Sequence, residues 1–170
     1  MNLTKLFEMQ KVLDQDIERN HPIVEGEDRL VKKIIALQQE LAEVVQELPE
    51  VFKFWSNKKN NYENALKEYV DTIHFLLSLG NDIDFDFNTT LYPNYQFDEG
   101  IEVMVCEINM CISNLYLGRL SSKTYVHSVF NAVLSSFMVL KHLLGFTDEQ
   151  VEHAYLEKNQ INFERQKSGY

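Results

Sequence analysis

Tyr62–Gly80, YENALKEYVDTIHFLLSLG, carries its apolar residues at helical rather than strand-like intervals. Tyr62, Leu66, Tyr69, Val70, Ile73 and Leu77 trace one arc of a 3.6-residue period, and Gly80 offers a C-terminal stop. Glu68, Asp71 and Phe75 form an adjoining stripe, at the border of that arc. Upstream, a second helix is expected from about Glu27 to Leu48, stopped by Pro49. Its main stripe reads Val31, Ile34, Ile35, Leu41, Val45 and Leu48. Glu40, Glu43 and Glu47 lie roughly opposite, so that acidic face looks exposed unless another element covers it.

Working outward, Leu3, Leu6, Phe7, Gln10, Leu13 and Ile17 mark a first helix that ends before His21-Pro22. Gly80 to Phe97, rich in Asp, Asn and Tyr, reads as a long irregular connection. Asp98 opens a helix reaching Gly118, and Ser121 or Ser122 caps another that ends at Gly145. Thr147-Asp-Glu-Gln150 is a capping box that starts the last helix. The expectation is an all-α bundle of about six helices, one domain over residues 1–170, without repeats or linkers.

A net charge of −10 and a pI near 4.9 leave no basic footprint for a phosphate backbone, so nucleic acid is not an expected partner. No secretory leader pattern opens the chain, and no apolar run approaches the ~20 residues of a bilayer span, which points to the cytoplasm. Cys106 and Cys111 lack zinc spacing and read as reduced, buried thiols.

Chemistry concentrates in two acidic pairs, Glu40-Leu-Ala-Glu43 and Glu68-Tyr-Val-Asp71. Residues three apart share a helix face, so each pair can aim two carboxylates at one point. Either pair alone is ordinarily a solvated face. Two pairs facing each other would repel strongly or force one group to hold a proton unless cations sit between them, and all-oxygen ligation favours Mg²⁺ or Mn²⁺. Gln10 sits within an apolar stripe and must find partners, with Asp14 one turn on. Trp55, in the basic segment Lys53 to Lys59, either plugs the core edge or meets a ligand. His74 is either a ligand or a supporting residue one turn beyond Asp71. Lys158, Asn162 and Arg165 share one face of the last helix. With the basic loop bearing Lys53 and Lys58, they suit a nucleotide polyphosphate.

Glu40-x-x-Glu43, 24 residues, then Glu68-x-x-Asp71 resembles the motif of the all-α nucleoside triphosphate pyrophosphatases, MazG-like enzymes among them. Gln10, Lys53-x-Trp55, Asp71-x-x-His74-Phe75 and Lys158-x3-Asn162-x2-Arg165-x4-Tyr170 resemble, more narrowly, the dimeric dUTPases. That resemblance implies a helical homodimer that hydrolyses dUTP, and dUDP, to dUMP with two or more Mg²⁺ ions. It assigns the metal ions to Glu40, Glu43, Glu68 and Asp71, with Glu40 or Glu43 assisting the attacking water as base. Lys158, Arg165 and Tyr170 match phosphate-contacting positions. Gln10, Trp55 and Asn162 match positions around the nucleoside, as do His74 and Phe75, the latter as an apolar wall against a 2′-hydroxyl. Asp14 stands where some members carry asparagine. Other readings are a MazG-like enzyme of different base preference, a di-iron bundle, for which only Asp71-x-x-His74 comes near the required pattern, and a non-catalytic helical interaction module.

Overall fold

The computed structural model describes residues 1–87 and 100–169, so Asp98 and Tyr170 lie outside the described residues. Among the described residues the protein is all-helical, without strands. The elements are α1 (Leu3–Asn20), α2 (Arg29–Gln46), α3 (Pro49–Phe52), α4 (Tyr62–Asp82), α5 (Ile101–Gly118), α6 (Lys123–Leu143) and α7 (Asp148–Ser168). The helix beyond the expected six is α3. Pro49 does end α2, but its fixed φ also suits a first helical position, and it starts a one-turn helix with Glu50 in that turn. Side-chain oxygens of Asn2, Asp28, Asn61, Ser122 and Thr147 accept from backbone N–H groups to open α1, α2, α4, α6 and α7. At Thr147 the full capping box forms.

Helix α4 is central, packed by α1, α2, α6 and α7, and α5 pairs with α6. Tyr69, Val70, Ile73, Leu76, Leu77 and Leu79 of α4 are buried, whereas Tyr62 is half out in solvent. Two expectations are corrected. The buried stripe of α2 is Ile34, Leu37, Leu41 and Val44, continued by Leu48, and Ile35 is 59% exposed. This seam repeats at alternating steps of three and four, and Glu40, Glu43 and Glu47 each precede a seam residue. The acidic stripe is therefore beside the core, not opposite it. Nor does Gly80 stop α4, which runs to Asp82. A Cβ at Gly80 would stand 2.8 Å from Phe87 Cζ and 3.2 Å from Phe130 Cζ, so glycine is there for ring packing.

The thiols also differ from expectation, since Cys106 is exposed and Cys111 only half-buried. Helix α5 comes closer to a membrane span than its sequence suggested, being long and apolar enough by composition. Its residues Met104, Ile108, Ile112 and Leu115 are nonetheless buried within the helix bundle.

Alanine normally stabilises a helix interior relative to glycine by ~1 kcal/mol. At Gly80 the sign should reverse, because the added methyl overpacks Phe87 and Phe130; thermal unfolding of Gly80→Ala is expected to show a loss of ~1–3 kcal/mol. A raised Tm would contradict this packing.

Candidate active site

The seam between α2 and α4 decides what the acidic pairs can do. With Leu37, Leu41 and Val44 buried in the same core as Tyr69, Val70 and Ile73, the neighbouring stripe of each helix faces the same opening. Glu40, Glu68 and Asp71 bring one carboxylate oxygen each within 4.8 Å of the others. Glu43 lines the same cleft outside that tight group and accepts from Gln39 Nε2 at 3.1 Å. The third member of the arrangement is α7, whose Lys158 ammonium donates to Asp71 Oδ2 in a short ion pair.

These charges are strained by their surroundings. Burial first, then Asp71 and Glu43, push the Glu40 carboxyl up to about 7. Burial and Asp71 raise Glu68 in the same sense. Asp71 is raised too, because burial outweighs the lowering effect of Lys158. A set of three carboxylates short of compensating charge is one that a divalent cation would relieve, and its all-oxygen donors fit Mg²⁺ or Mn²⁺.

The cleft extends from this cluster over about 730 Å³. Gln10, Asp14, His74, Phe75, Lys158, Asn162 and Arg165 line it together with the carboxylates. Gln10, buried as expected for its stripe, is held by three side chains: Nε2 donates to Asp14 Oδ1 at 2.8 Å, and Oε1 accepts from Tyr155 Oη at 2.9 Å and pairs with His74 Nδ1 at 2.8 Å. Asp14 accepts further from Ser78 Oγ at 3.0 Å and Asn81 Nδ2 at 3.2 Å. The His74 ring stacks on Tyr155 with centroids 4.2 Å apart. Burial, then the Lys158 charge, lower His74 to about 3.

Other expected residues are not brought to the cleft. Trp55 is 68% exposed and Phe54 94%, so the tryptophan does not plug the core edge. Lys53, Lys58 and Trp55 belong to the connection after α3, outside the cleft walls. That connection is held by Glu50, which accepts from Lys59 Nζ at 2.5 Å and from the Asn60 N–H at 3.1 Å. Sequence reading missed Tyr155 and Ser78. Tyr155 precedes Lys158 by one turn, and an aromatic there was the available signal. Also missed were Arg29, Lys32 and Lys33, which line the cleft paired to Glu27 and Asp82.

Because the folded pKa of His74 lies below its ordinary 6.5, the unfolded chain binds the proton first as pH falls. Its contribution to stability is present above 6.5 and drains away as pH drops towards about 3. Urea unfolding between pH 7 and 4 is expected to show a shallower loss for His74→Gln than for the wild type. Equal slopes would mean that the ring is not held neutral in the fold.

No curated protein matches the chain. A helical cleft with clustered carboxylates at one end, cations from the last helix beside them and a polar pocket further along is what a nucleotide and its metal ions require. The family model described as dUTPase matches residues 2–170, and the chain belongs to the dimeric, all-α dUTPase family, an enzyme family of dUTP diphosphatases.

Proposed function

We propose that this cleft hydrolyses dUTP, and dUDP as well, to dUMP in a Mg²⁺-dependent reaction, and that the working unit is a cytoplasmic homodimer. The observation that carries the reading is the convergence of Glu40, Glu68 and Asp71 beside Lys158. Glu40, Glu68 and Asp71 would hold the metal ions. When bound, these supply charge neutralisation at the phosphate oxygens and orientation of the attacking water. Glu43 lies outside the tight group and within the cleft, so it is the carboxylate left to take the proton of that water. Lys158 and Arg165 face the phosphates as point charge and fork. Phe75 gives the sugar an apolar wall that penalises a 2′-hydroxyl. Lys53, Lys58 and Trp55 lie outside the cleft walls of the single chain, so this reading gives them no part in holding the nucleotide.

Product release from dUTP, dUDP, dTTP, dCTP, UTP and dATP with and without Mg²⁺ tests the reading. Turnover confined to dUTP and dUDP and abolished by chelation is expected. Activity across the panel would instead favour a broad nucleotide pyrophosphatase. Glu43→Gln and Asp71→Asn are each expected to lower kcat by about 10²-fold or more with the helices intact by circular dichroism. Mg²⁺ should raise the Tm of the wild type by mass action and lose that effect in Asp71→Asn.

The homodimer is supported by the outer face of α5. Val103, Cys106, Met110, Ser113, Leu117 and, just past the helix end, Leu120 recur at alternating steps of three and four, the spacing of a helix–helix seam. Leu117 is 71% and Leu120 85% exposed in the single chain, an apolar stripe suited to a second copy. Light scattering is expected to give twice the chain mass for the wild type and a lower mass for Leu117→Glu. A monomeric wild type would overturn this assignment.

A further inference from the structure

Asp14 lines the cleft and also meets Gln10, and as an acceptor it fixes the direction of the hydrogen bonds that follow from it. A carboxylate only accepts, so the Gln10 amide must turn its NH₂ to Asp14 Oδ1, 2.8 Å away. Gln10 Oε1 is thereby aimed at His74 Nδ1, at 2.8 Å. An amide oxygen cannot donate, so Nδ1 must carry the ring proton. His74 Nε2 is then a bare lone pair, and it is buried without a partner in a side chain that lines the cleft. Tyr155 Oη, donating to the same Oε1 at 2.9 Å, reinforces the orientation. Ser78 and Asn81 hold Asp14 itself in place.

We propose that Asp14 is a positioning residue: through Gln10 it fixes His74 as the Nδ1–H tautomer and leaves Nε2 as an acceptor for an N–H or O–H donor on the nucleoside. The nucleoside half of this inference rests on the function proposed above; the tautomer half does not. The neutral ring that the relay requires agrees with the low pKa of His74. Free histidine prefers its proton on Nε2, so the relay selects against the default. Two donors on a deoxyuridine nucleotide have the right chemistry, the N3–H of the base and the 3′-hydroxyl of the sugar.

The tautomer can be read directly in the full chain labelled with ¹⁵N-histidine, where long-range ¹H–¹⁵N correlations distinguish protonated from bare ring nitrogens and His74→Gln assigns the signal. The wild type is expected to show Nδ1–H, Asp14→Ala to shift towards Nε2–H, and Asp14→Asn, which can still accept, to keep the wild-type pattern. A wild type with the proton on Nε2 overturns the relay whether or not the enzyme acts on dUTP, and so does an unchanged tautomer in Asp14→Ala. In kinetics, Asp14→Ala should raise KM for dUTP about tenfold, the scale of one buried hydrogen bond lost, with a smaller change in kcat. Substrates lacking the 3′-hydroxyl or methylated at N3 separate the two donors: the wild type should be impaired on one of them, and Asp14→Ala should show little further loss on that one. Equal additional losses on both analogues would mean that Nε2 accepts from neither.

Discussion

Packing of α2 against α4 forces oxygens of Glu40, Glu68 and Asp71 within 4.8 Å of one another, an arrangement that repulsion and burial both oppose. For unit charges about 5 Å apart at an effective dielectric of about 20, each like-charged pair costs roughly 3 kcal/mol. Burying one Leu, Val or Ile side chain contributes ~1.5–3 kcal/mol. The seam of Ile34, Leu37, Leu41, Val44 and Leu48 against α4 can therefore offset the repulsion, and it also fixes the rotation of α2. Without that seam the carboxylates would separate. Folding energy is thus converted into a site whose charge asks for cations.

Helix α7 closes the arrangement from the other end of the sequence. Tyr155 and Val151 bury its apolar side, and the same anchoring holds Lys158 against Asp71 and turns Asn162 and Arg165 to the cleft. A single ammonium does not neutralise the cluster, since the pKa of Asp71 stays above its ordinary value despite the ion pair. Burial wins there. On the function proposed, Asp71 would be one of the residues that hold the metal ions, and Lys158 beside it would offer its charge to the phosphate chain.

The helical class was legible because apolar residues recur at intervals of three and four in six long segments, and Asn61, Ser122 and Thr147 announce helix starts. The acidic pairs were legible as pairs for the same reason. Their placement is not legible, because a stripe through Ile35 and Val45 is as regular in the sequence as the one through Leu37 and Val44 that the fold buries. Two adjacent stripes of apolar residues admit two rotations of a helix, and only the partner helix chooses between them. Gly80 misled through its usual role, because its lack of a Cβ serves the Phe87 ring and not the backbone. Gln10 was legible as an amide needing partners, but not their identity. His74 and Tyr155 lie 64 and 145 residues away, and no local pattern encodes such pairings.

Helix α4 ties the two halves of the site together. Asp71, His74 and Ser78 follow one another by about a turn, which at 1.5 Å per residue spans roughly 10 Å along a rigid axis. Asp71 belongs to the carboxylate cluster, while His74 and Ser78 belong to the polar network anchored on Asp14. On the function proposed, recognition of the nucleoside and handling of its phosphates are thus set by one helix of fixed pitch. A nucleotide whose donor fails to meet His74 Nε2 leaves that buried nitrogen unsatisfied, or shifts along the cleft and carries its phosphates away from the carboxylates. Either way the penalty falls on the reacting geometry as well as on binding, so the rigidity of α4 makes selectivity and catalysis a single constraint.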